Sequence, residues 1–138
     1  MRLVRLGPLV LLALVVAAHP GAAQDDDTKA AESVVLRQLQ AFRDDDYDLA
    51  YTFAATVIRQ AFDRAAFERM VRTGYPEIAR SAYAVVSKHE TTVDDRRYVT
   101  VRIIGANGAR IAATYELVRE ETGWRVSGVV TRPDGEAA

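Results

Sequence analysis

The sequence has no cysteine and only two histidines, His19 and His89. Without cysteine the protein can form neither a disulfide nor a thiolate, which excludes a thiol nucleophile and cysteine metal ligands. The HExxH, GxSxG and phosphate-loop motifs are also absent. The sequence therefore predicts no metal and no cofactor.

The chain also lacks an excess of charge of one sign, with 18 basic and 19 acidic side chains. Nucleic-acid-binding domains usually carry a basic face, so we expect no nucleic-acid partner. The sequence contains no internal repeat, low-complexity block or linker. We therefore expect a single domain, and 49% hydrophobic residues are enough to build its core without disulfides.

One long hydrophobic run is present, at residues 9–18, and it follows the basic residues Arg2 and Arg5. A positive segment, an apolar segment and small residues up to Ala23 are the three parts of a secretory signal peptide. The run is shorter than the ~20 apolar residues of a membrane span, and no cysteine follows it for lipid attachment. We expect residues 1–23 to be removed, with export to the periplasm or the medium and no stable membrane anchor.

The rest of the chain is predicted to form an acidic tail at 24–27, one domain at 28–132 and a C-terminal tail at 133–138. Apolar residues recur every three or four positions over residues 28–43, which predicts an amphipathic helix. Its apolar positions are Ala31, Val34, Val35, Leu39 and Phe42.

Three aspartates, at 44–46, interrupt this pattern, and a second helix is expected to start near Tyr47. Its continuation past a kink near residues 55–56 carries further apolar positions. Asp63 can cap a third helix over residues 64–73, because an aspartate accepts from the free amides of a helix start. The residues before the sheet therefore predict helices throughout.

From residue 97 to 131 the apolar period changes to two, which predicts three antiparallel strands. A two-residue turn at Asn107-Gly108 would place the apolar sets of the first two strands on opposite faces. A three-residue loop with Gly108 left-handed instead pairs Ile103 with Ile111, so we predict that loop. The same register gives the pairs Val101–Ala113 and Val99–Tyr115.

The last strand follows a four-residue turn at 120–123 and is expected to place Trp124, Val126 and Val130 on the apolar face. Gly128 would then lie opposite Tyr115, where it would leave space for the ring or allow the sheet to bend.

An earlier strand, at 81–92, has two candidate faces. One face holds Tyr83, Val85, Ser87 and His89, and the other holds Ala82, Ala84, Val86 and Lys88. The charge of Lys88 favours the first set as the inward one, although the turn that follows does not determine the register.

Helices followed by about four antiparallel strands predict an α+β domain, with the N-terminal helices packed on one face of a curved sheet. Three segments resemble a bacterial family, the domain of unknown function 4864, within the nuclear transport factor 2-like (cystatin-like) fold. They are LQAFRDDDYDLAYTFA, FERMVRTGYP and TYELVREETGWRVSGVV. The matched positions include Phe42, Asp44, Asp45, Tyr75 and Pro76. The resemblance implies a conical cavity between sheet and helices, and the family carries no assigned activity.

Two features of the matched segments have structural explanations. Asp44, Asp45, Asp46 and Asp48 have the chemistry of a cation site, but a calcium loop starting at Asp44 would have Leu49 where glycine is required. A helix junction, with one aspartate as the N-cap, is the interpretation we favour. The Tyr-Pro dipeptide at 75–76 is expected to form a rigid turn, because proline restricts both its own φ and the preceding residue.

We expect the cavity to be lined by Tyr83, His89, Tyr115 and Trp124. His89 is the one candidate catalytic residue, since it would provide a group that titrates near neutral pH. The alternative is that His89 is an exposed residue near a strand end, with no chemical role.

Three functions are consistent with these features. The first is a non-enzymatic exported domain that binds a small apolar or amphipathic ligand, or a protein partner. The second is an acid-base enzyme of the dehydratase, isomerase or hydrolase type that uses His89 with tyrosines, by analogy with the fold. The third is a structural module, and the Tyr98 side of the sheet, with its β-branched residues, is compatible with a homodimer.

Overall fold

The computed structural model describes residues 20–135, so residues 1–19, which hold most of the predicted signal peptide, and residues 136–138 lie outside the described part. Within this part, the helices are α1 (Pro20–Arg43), α2 (Tyr47–Thr52), α3 (Thr56–Ala61), α4 (Arg64–Gly74) and α5 (Pro76–Ala79). The strands are β1 (Ser81–Thr91), β2 (Arg97–Gly105), β3 (Arg110–Glu120) and β4 (Gly123–Pro133). The predicted order of helices followed by four strands is confirmed.

The apolar stripe of α1 packs into the core, as the periodicity predicts. Ala31, Val35 and Leu39 have no exposed surface, and Phe42 is also buried. The helix begins at Pro20, eight residues before the predicted start, so the segment at 24–27 is helical.

The shorter helices are delimited by the expected caps and by one contact with the sheet. The carboxylate of Asp46 accepts from the Leu49 amide at 3.1 Å at the start of α2, and Asp63 caps α4 in the same way. Between α2 and α3 the chain does not kink but leaves the helical conformation. The reason is a short bridge to β4, in which the Ala55 amide donates to the Val126 carbonyl at 2.7 Å.

The four strands form one antiparallel sheet in the order β1-β2-β3-β4. The predicted register of β2 and β3 is confirmed, with Ile103 opposite Ile111 and Val99 opposite Tyr115. Gly108 has φ +81°, the left-handed conformation that the three-residue loop requires. The loop is closed by the Gly108 amide, which donates to the Gly105 carbonyl at 2.9 Å.

The predicted register of β4 is correct only in its first part. Val126 lies opposite Leu117, but the register then shifts by one residue at a β-bulge. Gly128 therefore pairs with Glu116, and Val129 takes the place opposite Tyr115 that the alternating pattern predicts for Gly128. The bulge also turns Val130 to the outer face, where it is 73% exposed, so its predicted inward orientation is wrong.

β1 has one register shift next to Ser81 and another near Ser87, and the shift near Ser87 reverses which residues of the central part of the strand face inward. Before it, Ala84 and Val86 pair with inward residues of β2, while Tyr83 points away and is 56% exposed. After it, His89 pairs with Val99 and faces inward. The predicted inward face is therefore wrong for Tyr83 and Val85 and correct for His89.

Candidate functional site

An apolar cavity of about 270 Å³ lies between the helices and the last two strands. Its walls come from α1, α3, α4 and α5, from their connections, and from β3 and β4. The lining residues are Gln38, Phe42, Ala54, Ile58, Phe62, Phe67, Met70, Val71, Tyr75, Ile78, Tyr115, Val126, Gly128 and Val129. None of these residues is charged, so the cavity suits an apolar molecule better than an ion.

The helical wall is a set of aromatic rings held by specific contacts. The Phe67 ring on α4 lies 6.0 Å from the Phe42 ring and 5.3 Å from the Tyr51 ring, measured between centroids. Tyr51 also donates from its hydroxyl to the Phe62 carbonyl at 2.6 Å, which holds the α3–α4 connection against the helices. These contacts position the Phe62 segment, and Phe62 lines the cavity.

Polar groups are few on the cavity wall. Gln38 is buried, and its Nε2 donates to the Ala50 carbonyl at 3.1 Å. Tyr115 is buried on β3, and among residues 20–135 its hydroxyl has no hydrogen-bond partner. Burial raises the pKa of Tyr115 well above its usual value, so the hydroxyl stays protonated and neutral.

Of the four residues predicted to line the cavity, only Tyr115 does so. Tyr83 is on the opposite face of the sheet. His89 is inward but lies under α1, where its Nδ1 is 3.2 Å from the Glu32 Oε1. Trp124 is buried beside two arginines at another part of the sheet.

The surroundings of Trp124 form a polar cluster that connects the start of α1 to the sheet. The guanidinium of Arg97 lies 5.1 Å from the ring centroid of Trp124, and that of Arg119 lies 4.6 Å from it. Asp27 on α1 pairs with Arg119 at 2.6 Å, and the buried Arg97 pairs with Asp95 at 3.0 Å. These contacts hold α1 on the sheet outside the cavity.

The aspartates at 44–48 form a helix junction, the interpretation that the sequence favours. Besides the Asp46 cap, Asp45 has φ +54° and accepts from Arg72 at 3.2 Å and from Arg80 at 3.1 Å. Asp48 pairs with Arg64 at 2.6 Å. Over residues 20–135, no group of three His, Cys, Asp or Glu side chains has an arrangement suited to a metal ion.

This ion-pair network covers a buried tyrosine. The guanidinium of Arg72 lies 4.4 Å from the ring centroid of Tyr47, and Glu68 accepts from both Arg64 and Arg72 at 2.9 Å. Hydrogen bonds from these two arginines lower the pKa of Glu68, and burial raises the pKa of Tyr47. The carboxylates of the acidic segment therefore bond to arginines and to a helix amide of the protein itself.

Two residues of the family motif, Phe42 and Tyr75, line the cavity, and Pro76 starts α5. Sequence reasoning does not place Gln38 at the site. Gln38 lies four residues before Phe42 and three after Val35, so it is on the apolar stripe of α1. This position is the one feature of the sequence that could have placed Gln38 on the inward side of the helix. For residues 58, 62 and 70, the sequence pattern indicates only a place in the general core.

A four-stranded antiparallel sheet with helices on one face and a cavity between the two layers defines an α+β domain of the nuclear transport factor 2-like (cystatin-like) class. The family model described as "Domain of unknown function (DUF4864)" matches residues 24–138, and the chain belongs to this family.

One solved structure has a similar fold, that of Aln2 from a Streptomyces species. Its sequence identity is 17% and the TM-score is 0.50, with 85% of this chain and 93% of the Aln2 chain covered. This similarity concerns the fold alone. A comparison with curated proteins finds no match. Within residues 20–135, no helix combines the length and the apolar character needed to cross a lipid bilayer.

Proposed function

We propose that this protein binds a small apolar ligand in the cavity between its helices and its sheet, without chemical conversion. The observation that carries the proposal is the cavity of about 270 Å³, which within residues 20–135 is lined mostly by apolar side chains and by no charged one. Ligand sites are typically concave and apolar with a few polar groups, and here the lining includes the polar residues Gln38 and Tyr75.

The acid-base alternative receives less support from this geometry. It requires His89 to reach a substrate in the cavity. His89 contacts Glu32 instead and does not line the cavity, and Tyr83 lies on the other face of the sheet. His89 and Tyr83 therefore lie at different places, and neither lines the cavity.

Two neighbouring valines provide a direct test of binding. Val129 lines the cavity, whereas Val130 is on the outer face. We expect Val129→Phe to place its ring in the cavity and to weaken binding of the probe naphthalene by at least about tenfold, since the ring takes the ligand's space. Val130→Phe adds the same ring outside and should bind naphthalene as the wild type does.

The measurement is a fluorescence titration with naphthalene, accompanied by thermal unfolding to establish that both variants fold. Native mass spectrometry of the protein purified without denaturants should in addition reveal a bound mass of small-molecule size. The proposal is wrong if naphthalene does not bind the wild type, or if the two variants bind it equally well.

We also propose that the protein acts outside the cytoplasm, on the basis of the signal-peptide pattern of residues 1–23. Cleavage after Ala23 would retain Asp27 and its contacts with the sheet. The intact mass of protein recovered from a bacterial envelope fraction should correspond to a chain starting at Gln24. A full-length mass found in the cytoplasm alone would contradict export.

A further inference from the structure

The residues that line the cavity divide into a buried set and a half-buried set. Phe42, Phe67 and Tyr115 are among the buried ones. The half-buried lining residues are Ile58, Phe62, Met70, Tyr75, Gly128 and Val129. A lining residue that is partly exposed lies between the cavity and solvent. On this side of the cavity an entering molecule therefore has the least protein to displace.

The elements that carry the half-buried residues differ in how firmly they are packed. The helix α4, which carries Met70, has a buried face, and the strand β4, which carries Val129, is hydrogen-bonded to β3. Ile58 and Phe62 belong to α3 and to its C-terminal cap. Within the described residues, α3 is the only helix of the cavity wall without a buried side chain. Segment 56–62 can therefore move away with a smaller loss of buried surface than the other elements on this side.

Both ends of segment 56–62 adjoin anchored residues. The Ala55 amide donates to the Val126 carbonyl of β4 at 2.7 Å, and Asp63 accepts from the Ala66 amide at 2.8 Å at the start of α4. The helical conformation is interrupted at Ala55, with φ −66° and ψ 160°, and at Phe62, with φ −132° and ψ 123°. Residues at the ends of secondary-structure elements are where hinges absorb changes of φ and ψ. The segment therefore has a non-helical residue beside an anchor at each end.

Polar contacts from other elements hold segment 56–62 in its position. The Tyr51 hydroxyl donates to the Phe62 carbonyl at 2.6 Å and lies 3.2 Å from the Arg59 carbonyl. At the other end, the Thr56 amide donates to a carboxylate oxygen of Glu120 at 2.9 Å, in an exposed position where local opening is easiest. Neither Tyr51 nor Glu120 lines the cavity. These contacts therefore hold the segment from outside the ligand space.

We propose, on the basis of the binding function proposed above, that residues 56–62 form a lid that opens to admit an apolar ligand and closes over it, with Tyr51 and Glu120 as its latches. The ligand enters and leaves only through the open state, which is the minor one, so the open fraction limits both rates. The latches then set the rate of ligand exchange, and the cavity lining sets the affinity.

The variant Tyr51→Phe tests the lid, because it removes the hydroxyl latch and keeps the ring that packs on Phe67. A weaker latch raises the open fraction by the same factor with and without ligand. We expect the association and dissociation rate constants of naphthalene, measured by stopped-flow fluorescence, to rise together by about fivefold. The Kd, which is their ratio, should stay within about twofold of the wild-type value.

The matched control is Tyr98→Phe, which removes a tyrosine hydroxyl that bonds to Glu116 at 3.0 Å. Neither residue lines the cavity or contacts the lid through a side-chain hydrogen bond among residues 20–135. Tyr98→Phe should therefore leave both rate constants of naphthalene unchanged.

Amide hydrogen exchange, followed by mass spectrometry, reports the opening without a ligand. Residues 58–62 should exchange faster than α4 in the wild type, and Tyr51→Phe should accelerate their exchange by about fivefold while that of α4 stays the same. Glu120→Ala, which removes the acceptor for the Thr56 amide, should act in the same direction at the other end of the lid.

The outcomes separate the lid from the function on which it rests. If naphthalene binds the wild type, but Tyr51→Phe changes neither rate constant or raises only the dissociation rate constant, the lid is overturned and the binding function stands. An equal acceleration of exchange over the whole chain in Tyr51→Phe would also overturn the lid, because the tyrosine would then stabilise the fold in general. If naphthalene does not bind the wild type, the binding function is overturned, and the lid with it.

Discussion

The Nδ1 of His89 lies 3.2 Å from the Oε1 of Glu32, a contact that joins β1 to α1 outside the cavity. His89 is largely buried, with 11% of its side chain exposed. We expect His89→Ala to lower the free energy of unfolding by about 1–2 kcal/mol, through loss of this contact and of buried surface. Naphthalene binding should not change, because His89 does not line the cavity.

Urea denaturation and the naphthalene titration together check this prediction. Glu32→Ala, alone and combined with His89→Ala, completes a double-mutant cycle that isolates the contribution of the contact. A selective loss of binding in His89→Ala, with unchanged stability, would favour the acid-base alternative over the structural role.

The unpaired hydroxyl of Tyr115 leads to a prediction about the ligand-free protein. We expect Tyr115→Phe to be as stable as the wild type or more stable by about 1 kcal/mol, because the substitution removes a buried polar group that has no partner within residues 20–135. Urea denaturation without ligand measures this difference. A loss of more than about 1 kcal/mol would mean that the hydroxyl is satisfied in solution.

The two arginines beside Trp124 differ in burial and therefore in their expected contributions. The side chain of Arg97 is 4% exposed, and it donates to Thr91 at 2.7 Å, whereas that of Arg119 is 49% exposed. We expect Arg97→Ala to cost about 3 kcal/mol and Arg119→Ala less than about 1 kcal/mol. Denaturant unfolding of both variants measures these losses. Equal losses of unfolding free energy would show that burial does not determine how much each arginine contributes.

The acidic junction should behave as a helix cap. Asp46→Ala removes the acceptor for the Leu49 amide and should cost about 1 kcal/mol of stability. Asp44→Ala is the control, since Asp44 contacts only the exposed Gln40 among the side-chain hydrogen bonds of the described residues. Added calcium should not raise the melting temperature of the wild type, and a clear rise would support the cation interpretation instead.

The sequence is compatible with a homodimer formed through the outer face of the sheet. Tyr83, Val85 and Val130 are exposed on this face. If the face mediates dimerisation, sedimentation should detect a concentration-dependent dimer, and Val130→Asp should shift it to monomer by burying an unpaired charge at the interface. A wild type that stays monomeric at all concentrations tested would exclude this surface as a dimer interface.

Local patterns in the sequence predict much of the fold. The caps at Asp46 and Asp63 follow from side chains that lie within a few residues of the amides they accept from. The pairing of Ile103 with Ile111 follows because both strands must present their apolar residues to one face, and only the loop with a left-handed Gly108 allows this.

The two errors in strand orientation have one physical origin. Each involves a β-bulge, at Ser87 in β1 and at Ser127 in β4, where one extra residue reverses the alternation of faces along the strand. Each serine hydroxyl donates to a carbonyl of the neighbouring strand, Ser87 to Thr100 and Ser127 to Glu116. An alternating pattern contains no mark of such an insertion, so the pattern alone places Tyr83 and Val130 on the wrong face.

The sequence by itself determined the order of helices and strands, the central register and most residues of the core, because each depends on spacing along the chain. Only the tertiary structure decided which core residues line the cavity, and that His89 pairs with Glu32 outside it. These features depend on contacts between residues far apart in sequence, whose distances no local periodicity specifies.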